Sequence, residues 1–330
     1  MIKSRAPLRV GIAGGGSDIK SYFDEHVGFV LNATIDKYAY TVIEHSARLT
    51  FISTDLGIVE DGDDVVKLIL HKETYSYFIN KYNDGVSLNL KVTTFVDAPI
   101  GSGLGSSSTL VVSMIKGFDE YFNSGLDDYE IAELAYYLER DICKLDGGKQ
   151  DQYSATFGGV NFIEFHKNRT VVNSLKIKNW IKCELESNLL LFFTGISRES
   201  SNVIEDQRKA IGSDPKKLEA MHKIKTEASE MKESILKGNF NAIIESLKVG
   251  WESKKASSSH VTNEHLNEIY DTGIDCGASA GKISGAGGGG FFMFYVPITH
   301  RATLIKGLQK YNGQILDCHF VEQGAQSWKL

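Results

Sequence analysis

The residues best suited to chemistry lie in Pro99-Ile100-Gly101-Ser102-Gly103-Leu104-Gly105-Ser106-Ser107-Ser108. Glycines alternate with small residues and hydroxyls follow at once. Such a backbone can turn its N–H groups around an anion. A helix starting there adds unpaired donors and a partial positive charge. The chemistry indicated is phosphate binding, and a serine-capped glycine turn is the plainer alternative. Glycine clusters again at residues 11–16, 147–148 and 281–290.

The first of these loops needs a strand before it and a helix after it. Leu88, Leu90, Val92, Thr94 and Val96 alternate as a strand does. Leu110, Val111, Met114, Ile115, Phe118, Tyr121 and Phe122 fall on one helical face, with Ser106 as its N-cap. The next helix starts at Asp127, with Glu130 completing a capping box. Its buried stripe is Ile131, Leu134, Ala135, Leu138 and Ile142. At the usual rotation per residue, Glu139 stands about 80° from Ile131 at the stripe's shoulder, and Arg140 points nearly the opposite way, into solvent. Strands are expected over 8–13, 33–53 and 160–165 and a helix over 65–82. Asp214-Pro215 caps a further helix carrying Leu218, Met221, Lys225, Ala228 and Met231 along one side. Strands over 282–284 and 291–296, a helix over 302–311 and a strand over 315–321 finish the chain.

A chain of 330 residues has room for two domains, here 1–184 and 185–330. A net charge of -6 argues against a nucleic-acid surface. No apolar run approaches the roughly 20 residues that span a bilayer, and the N-terminus lacks a secretory core. Cys143, Cys183, Cys276 and Cys318 are scattered, which fits reduced thiols in the cytoplasm. Gly277-Ala278-Ser279-Ala280-Gly281-Lys282-Ile283 falls short of a Walker A loop: it has one residue too few between its glycines and no hydroxyl after the lysine. After Gly14 and Gly16, the third glycine of a dinucleotide fingerprint is replaced by Ile19.

Three segments in order carry a family resemblance: Ala6-Pro7-Leu8-Arg9-Val10, Pro99 through Ser107, and Lys282 through Gly290. Together they resemble the GHMP kinases, the family of galactokinase, homoserine kinase, mevalonate kinase and phosphomevalonate kinase. The resemblance implies an α+β fold in two domains. The N-terminal α/β domain would carry the phosphate loop in a left-handed βαβ crossover, and the C-terminal domain would be ferredoxin-like. It implies ATP and Mg²⁺ as cofactors. Gly101, Ser102, Gly103, Leu104, Gly105, Ser106 and Ser107 would bind the ATP phosphates, and Ser107 with Glu139 would hold the metal. Asp151 would be the catalytic acceptor or orienter of the substrate hydroxyl, with Arg9 beside it. Homoserine kinase lacks that aspartate, so its presence points to the sugar and mevalonate branch. Gly15, Gly16, Ser17, Asp18, Arg198, Ser200, Gly287 and Gly288 would bind substrate. Galactokinases carry Gly-Glu-His-x-Asp where this chain has Gly15-Gly16-Ser17-Asp18. The chain resembles instead the heptose-phosphate and fucose kinase branch. The expected reaction is phosphorylation of a sugar phosphate at O1, by a cytoplasmic monomer or homodimer with no nucleic-acid or membrane partner. The alternatives are a free-sugar 1-kinase such as one for L-fucose, and a catalytically silent sugar or ATP sensor.

Overall fold

Apolar alternation in the first 45 residues builds a long antiparallel pair, β1 (Ile2–Ala13) and β2 (Gly28–His45), joined through α1 (Lys20–His26). The computed structural model describes residues 1–62, 65–99, 101–196, 201–210 and 213–330. The chain continues through β3 (Thr50–Ser53), β4 (Ile58–Asp61), α2 (Ile69–Tyr82), β5 (Leu90–Val96), α3 (Ser106–Phe122) and α4 (Asp128–Tyr137). One π turn (Leu138–Ile142) follows, then α5 (Gln150–Phe157), β6 (Val160–His166) and β7 (Arg169–Ser174). Next come α6 (Asn179–Asn188), β8 (Leu189–Phe193), α7 (Ser201–Ala210), α8 (Pro215–Lys237), α9 (Phe240–Ser257) and α10 (Glu264–Asp275). The last elements are β9 (Ala280–Ile283), β10 (Phe291–Tyr295), α11 (Ile298–Leu308), β11 (Gln314–Leu316) and β12 (Gln326–Lys329).

The larger sheet has the order β12-β1-β2-β5-β3-β4, with β6 and β7 attached to β2. The long β2 serves two neighbours on one side: β5 pairs with its later residues and β6 with its earlier ones. The second sheet is antiparallel, in the order β11-β8-β10-β9. The crossing from one sheet to the other runs along α6, which passes through position 184/185, and β12 returns to pair with β1. One buried cluster spans both halves. Leu8, Val10 and Leu31 of the large sheet pack with Met231 and Ile235 of α8, Leu247 of α9 and Met293 of β10. No helix among the described residues is long and apolar enough to cross a membrane.

The capping box at Asp127 and Glu130 and the cap at Asp214 form as the sequence implies. The N-cap of α3 is Gly105 in the left-handed region, not Ser106, which is the first helical residue. A left-handed entry needs no Cβ, so glycine takes the cap that a serine side chain would otherwise make. The helix expected from residue 65 begins at Ile69, because the Glu60 carboxylate takes the N–H groups of Val66, Lys67 and Leu68.

Candidate active site

Arg9 starts the site. It follows Pro7 at a register shift in the β1–β2 ladder, and such bulges re-aim a side chain. The residue is 3 % exposed. Its Nε donates to Asp151 Oδ1 at 2.7 Å, and Nη2 lies 2.6 Å from the same oxygen. Its Nη1 donates to the Gly103 carbonyl at 2.6 Å. One buried guanidinium thereby ties the phosphate loop to the first turn of α5. Both of its carboxylate contacts fall on Oδ1. Asp151 Oδ2 stands 3.3 Å from where a Cβ on Gly105 would be.

The glycine loops lock together through their backbones. Gly101, Gly103 and Gly105 all have positive φ. A Cβ on Gly103 would collide with the Ser284 carbonyl, and a Cβ on Gly285 would collide with the Gly103 backbone from the other loop. Phe291 N donates to Ser102 O at 2.9 Å and Arg9 N to Leu104 O at 3.1 Å. Ser284 Oγ donates to Gly103 O at 3.0 Å.

Ser107 and Glu139 meet. Ser107 is exposed, and its Oγ donates to Glu139 Oε1 at 3.1 Å. Glu139 is 1 % exposed, and its other oxygen accepts from Gln152 Nε2 at 2.5 Å. No group of three or more His, Cys, Asp or Glu among the described residues could cage a metal. One hydroxyl and one carboxylate suit Mg²⁺, which binds through few protein oxygens and takes the rest from phosphate and water.

Asp18 is buried beside them. Its Oδ1 accepts from Gly16 N at 2.9 Å and its Oδ2 from Gln150 N at 3.1 Å. It therefore caps α5 from another part of the chain, and its carboxylate keeps acceptor capacity for a ligand hydroxyl. A Cβ on Gly148 would collide with this carboxylate.

A cleft of about 530 Å³ collects these groups. It is lined by Arg9, Gly15, Gly16, Asp18, Gly101, Gly103, Gly105, Ser106, Ser107, Glu139, Asp151 and Gly287. Four of the expected binding residues, Ser17, Ser102, Leu104 and Gly288, do not themselves line this cleft. Ser17 is fully buried, its Oγ lying 2.8 Å from each of the Gly14 and Phe29 carbonyls, so it shapes the loop from behind. Ser102 and Leu104 turn their side chains inward, because alternate residues of the loop face the core. Gly288 is buried, and its N–H donates to Val261 O at 2.7 Å. Arg140 does not reach solvent freely: its side chain is 13 % exposed and lines the cleft. Arg198 and Ser200 lie outside the described residues.

Sequence reasoning missed a buried charge cluster under the cleft floor. Glu227 of α8, Lys254 of α9 and Lys282 of β9 are 2 %, 4 % and 4 % exposed. Lys254 Nζ donates to the Gly285 carbonyl, and Lys282 Nζ donates to Ile12 O at 2.8 Å. Burial pushes the Glu227 carboxyl up to about 7, opposed by Lys282 and Lys254. Burial, then Lys282 and Arg9, push the Lys254 ammonium down to about 7. The available signal was a charge at the i+3 position of an apolar stripe: Glu227 after Ile224, and Lys254 after Trp251.

Comparison with known proteins agrees with this architecture. Residues 69–159 match the model for the GHMP kinases N terminal domain, and residues 231–306 match the GHMP kinases C terminal model. The chain is 44% identical to a D-glycero-alpha-D-manno-heptose 7-phosphate kinase of Campylobacter jejuni, covering 100% of this chain and 99% of the relative. A crystal structure of a D-glycero-D-manno-heptose 1-phosphate kinase from Bacteroides thetaiotaomicron superposes with a TM-score of 0.83 at 39% identity, covering 100% and 99% of the two chains. A mevalonate kinase structure at 20% identity shares the fold, with a TM-score of 0.78 over 97% and 99%. Two matching domain models and a full-length relative place this chain in the GHMP kinase family, as a sugar kinase.

Proposed function

We propose that this kinase transfers the γ-phosphoryl group of ATP to O1 of D-glycero-D-manno-heptose 7-phosphate, giving the 1,7-bisphosphate. The observation that carries the reading is the Arg9–Asp151 pair, held against the phosphate loop and open to the cleft. The N–H groups of residues 103–107 cradle the phosphates at the start of α3. Asp151 takes the proton of the attacking hydroxyl as its oxygen bonds to Pγ, and the bond from Pγ to the ADP oxygen breaks. Arg9 offsets negative charge on the moving phosphoryl group. When bound, Mg²⁺ would be held by Ser107, Glu139 and phosphate oxygens, and would supply charge neutralisation. Asp18, with Gly15, Gly16 and Gly287 around it, receives the sugar hydroxyls. Residues 1–184 act as the ATP-binding domain and 185–330 as the domain that closes the cleft. Four free cysteines fit a cytoplasmic enzyme.

A substrate panel tests this reading. Coupled ADP release is measured with heptose 7-phosphate, heptose 1-phosphate, unphosphorylated heptose, L-fucose and galactose. If the acceptor phosphate is worth two charge-assisted bonds, kcat/KM for the 7-phosphate exceeds that for the free sugars by about 100-fold or more. Phosphorus NMR of the product should show a new anomeric phosphate. A free sugar equalling the 7-phosphate would overturn the reading, as would turnover confined to the 1-phosphate.

A further inference from the structure

Arg140 stands where helical periodicity does not put it. After α4 the backbone widens: Cys143 N donates to Leu138 O and Leu145 N to Glu139 O, both at 2.9 Å. This π turn (Leu138–Ile142) holds more residues per turn, so the side chains beyond it lag the α-helical phase. Ile142, expected on the buried stripe, is 40 % exposed. Arg140 swings the other way, into the cleft beside Glu139.

The guanidinium there is poorly satisfied. Nη1 lies 3.7 Å from Glu139 Oε1 and 3.4 Å from Leu145 O, and Nη2 lies 3.3 Å from Gly148 O. Charge-assisted contacts of this kind normally close to about 2.7–2.9 Å. Nε is buried with no partner at all. Burying a cation so loosely held is unfavourable unless an anion completes its shell. The loop is also shaped to admit it, since a Cβ on Gly147 would collide with the guanidinium. Glu139 Oε1, the carboxylate oxygen nearest Arg140, is also the one that accepts from Ser107 Oγ, so a phosphate group held at Ser107 lies on the same side of Glu139 as the guanidinium. In the proposed reaction that is where the terminal phosphate of the nucleotide sits.

We propose that Arg140 is a second catalytic cation, whose guanidinium takes the γ-phosphoryl oxygens of ATP from the Glu139 side while Arg9 serves the Asp151 side. The proposal rests on the kinase reading but not on the identity of the acceptor. Arg140 exchanges no proton: the acceptor proton goes to Asp151 and ADP leaves with the bridging oxygen.

Calorimetry with Mg²⁺ and either ADP or AMP-PNP needs no acceptor, so it judges Arg140 even if the substrate panel rejects heptose 7-phosphate. Arg140→Met should weaken AMP-PNP by about 10- to 100-fold while ADP changes by less than about threefold. Turnover on the accepted sugar should fall about 10²- to 10³-fold in kcat with little change in acceptor KM. Arg140→Lys, which keeps the charge without the fork, should recover part of both. Equal loss of both nucleotides would mean that Arg140 only props the 145–148 loop, and no loss of either would mean that it touches no phosphate. A loss confined to acceptor KM would move the guanidinium onto the acceptor's own phosphate. Each of these three results overturns the proposal.

Discussion

Asp151→Asn isolates proton acceptance from geometry. The asparagine oxygen can keep the Oδ1 contacts that Arg9 Nε and Nη2 make at 2.7 and 2.6 Å. Arg9 also retains its bond to Gly103 O, so the phosphate loop stays tied to β1. What disappears is the basic oxygen and one negative charge beside a buried guanidinium. A charged hydrogen bond becoming a neutral one costs about 1–2 kcal/mol of stability, a small melting shift for a chain of this size. Loss of the base removes about 10²- to 10⁴-fold in rate, equivalent to about 3–5 kcal/mol of barrier. Turnover would be followed by coupled ADP release, nucleotide affinity by calorimetry and folding by thermal melting. The expected pattern is a large fall in kcat with ATP affinity within about threefold of wild type, since no phosphate donor is altered. If kcat stayed within threefold, or if the loss lay wholly in acceptor KM, Asp151 would be a positioning group and the proton would go elsewhere. Arg9→Met is the contrasting variant. It leaves a carboxylate of 22 % exposure unpaired and frees Gly103, so stability and nucleotide affinity should fall with turnover.

Gly103→Ala combines a φ of +80° with a collision against Ser284, so its melting midpoint should fall by about 5 °C or more; Gly57→Ala, with a φ of +64° and no described atom within 4 Å, should fall by less, and equal shifts would refute the packing argument. Ser107→Ala and Glu139→Gln should each raise the Mg²⁺ needed for half-maximal turnover by about tenfold or more, and chelation should abolish turnover until Mg²⁺ returns; full activity in chelator would remove the metal from the mechanism. Glu227→Gln tests the buried cluster by melting from pH 5 to 8. The folded Glu227 carboxyl lies at about 7, above its usual 4.5, so its contribution is greatest at low pH and declines as pH rises to about 7. Removing it also pulls the Lys254 ammonium further down, which acts in the same direction, so the wild type should lose ground to the variant by a few kcal/mol at most between pH 5 and 7. A difference that is flat or grows with pH would contradict this assignment.

The phosphate loop and both strong helix caps were legible because each depends on residues within a few positions of one another. The π turn was not. Its widening re-aims Arg140 and exposes Ile142, and nothing within Leu138–Ile142 distinguishes it from the α-helix that precedes it. Partners distant in sequence were equally hidden. Periodicity marks Glu227 as a charge on an apolar stripe, but only the fold brings Lys254 and Lys282 to it. The return of β12 to β1 joins the two ends of the chain in one sheet, which no local pattern announces. The glycines are the instructive case, since a single composition signal covers three physical roles. Gly103, Gly285 and Gly290 let two backbones from opposite halves of the chain touch. Gly105, Gly147 and Gly148 stand clear of Asp151, Arg140 and Asp18, making room for charged side chains. Gly15, Gly16 and Gly287 line the cleft itself. A glycine cluster therefore locates a crowded place in the fold, and the crowding here has a consequence for the chemistry. The two loops meet through Ser102, Gly103, Ser284 and Gly285, so Arg9, whose Nη1 donates to Gly103 O and lies 3.4 Å from Ser284 Oγ, is held against both at once.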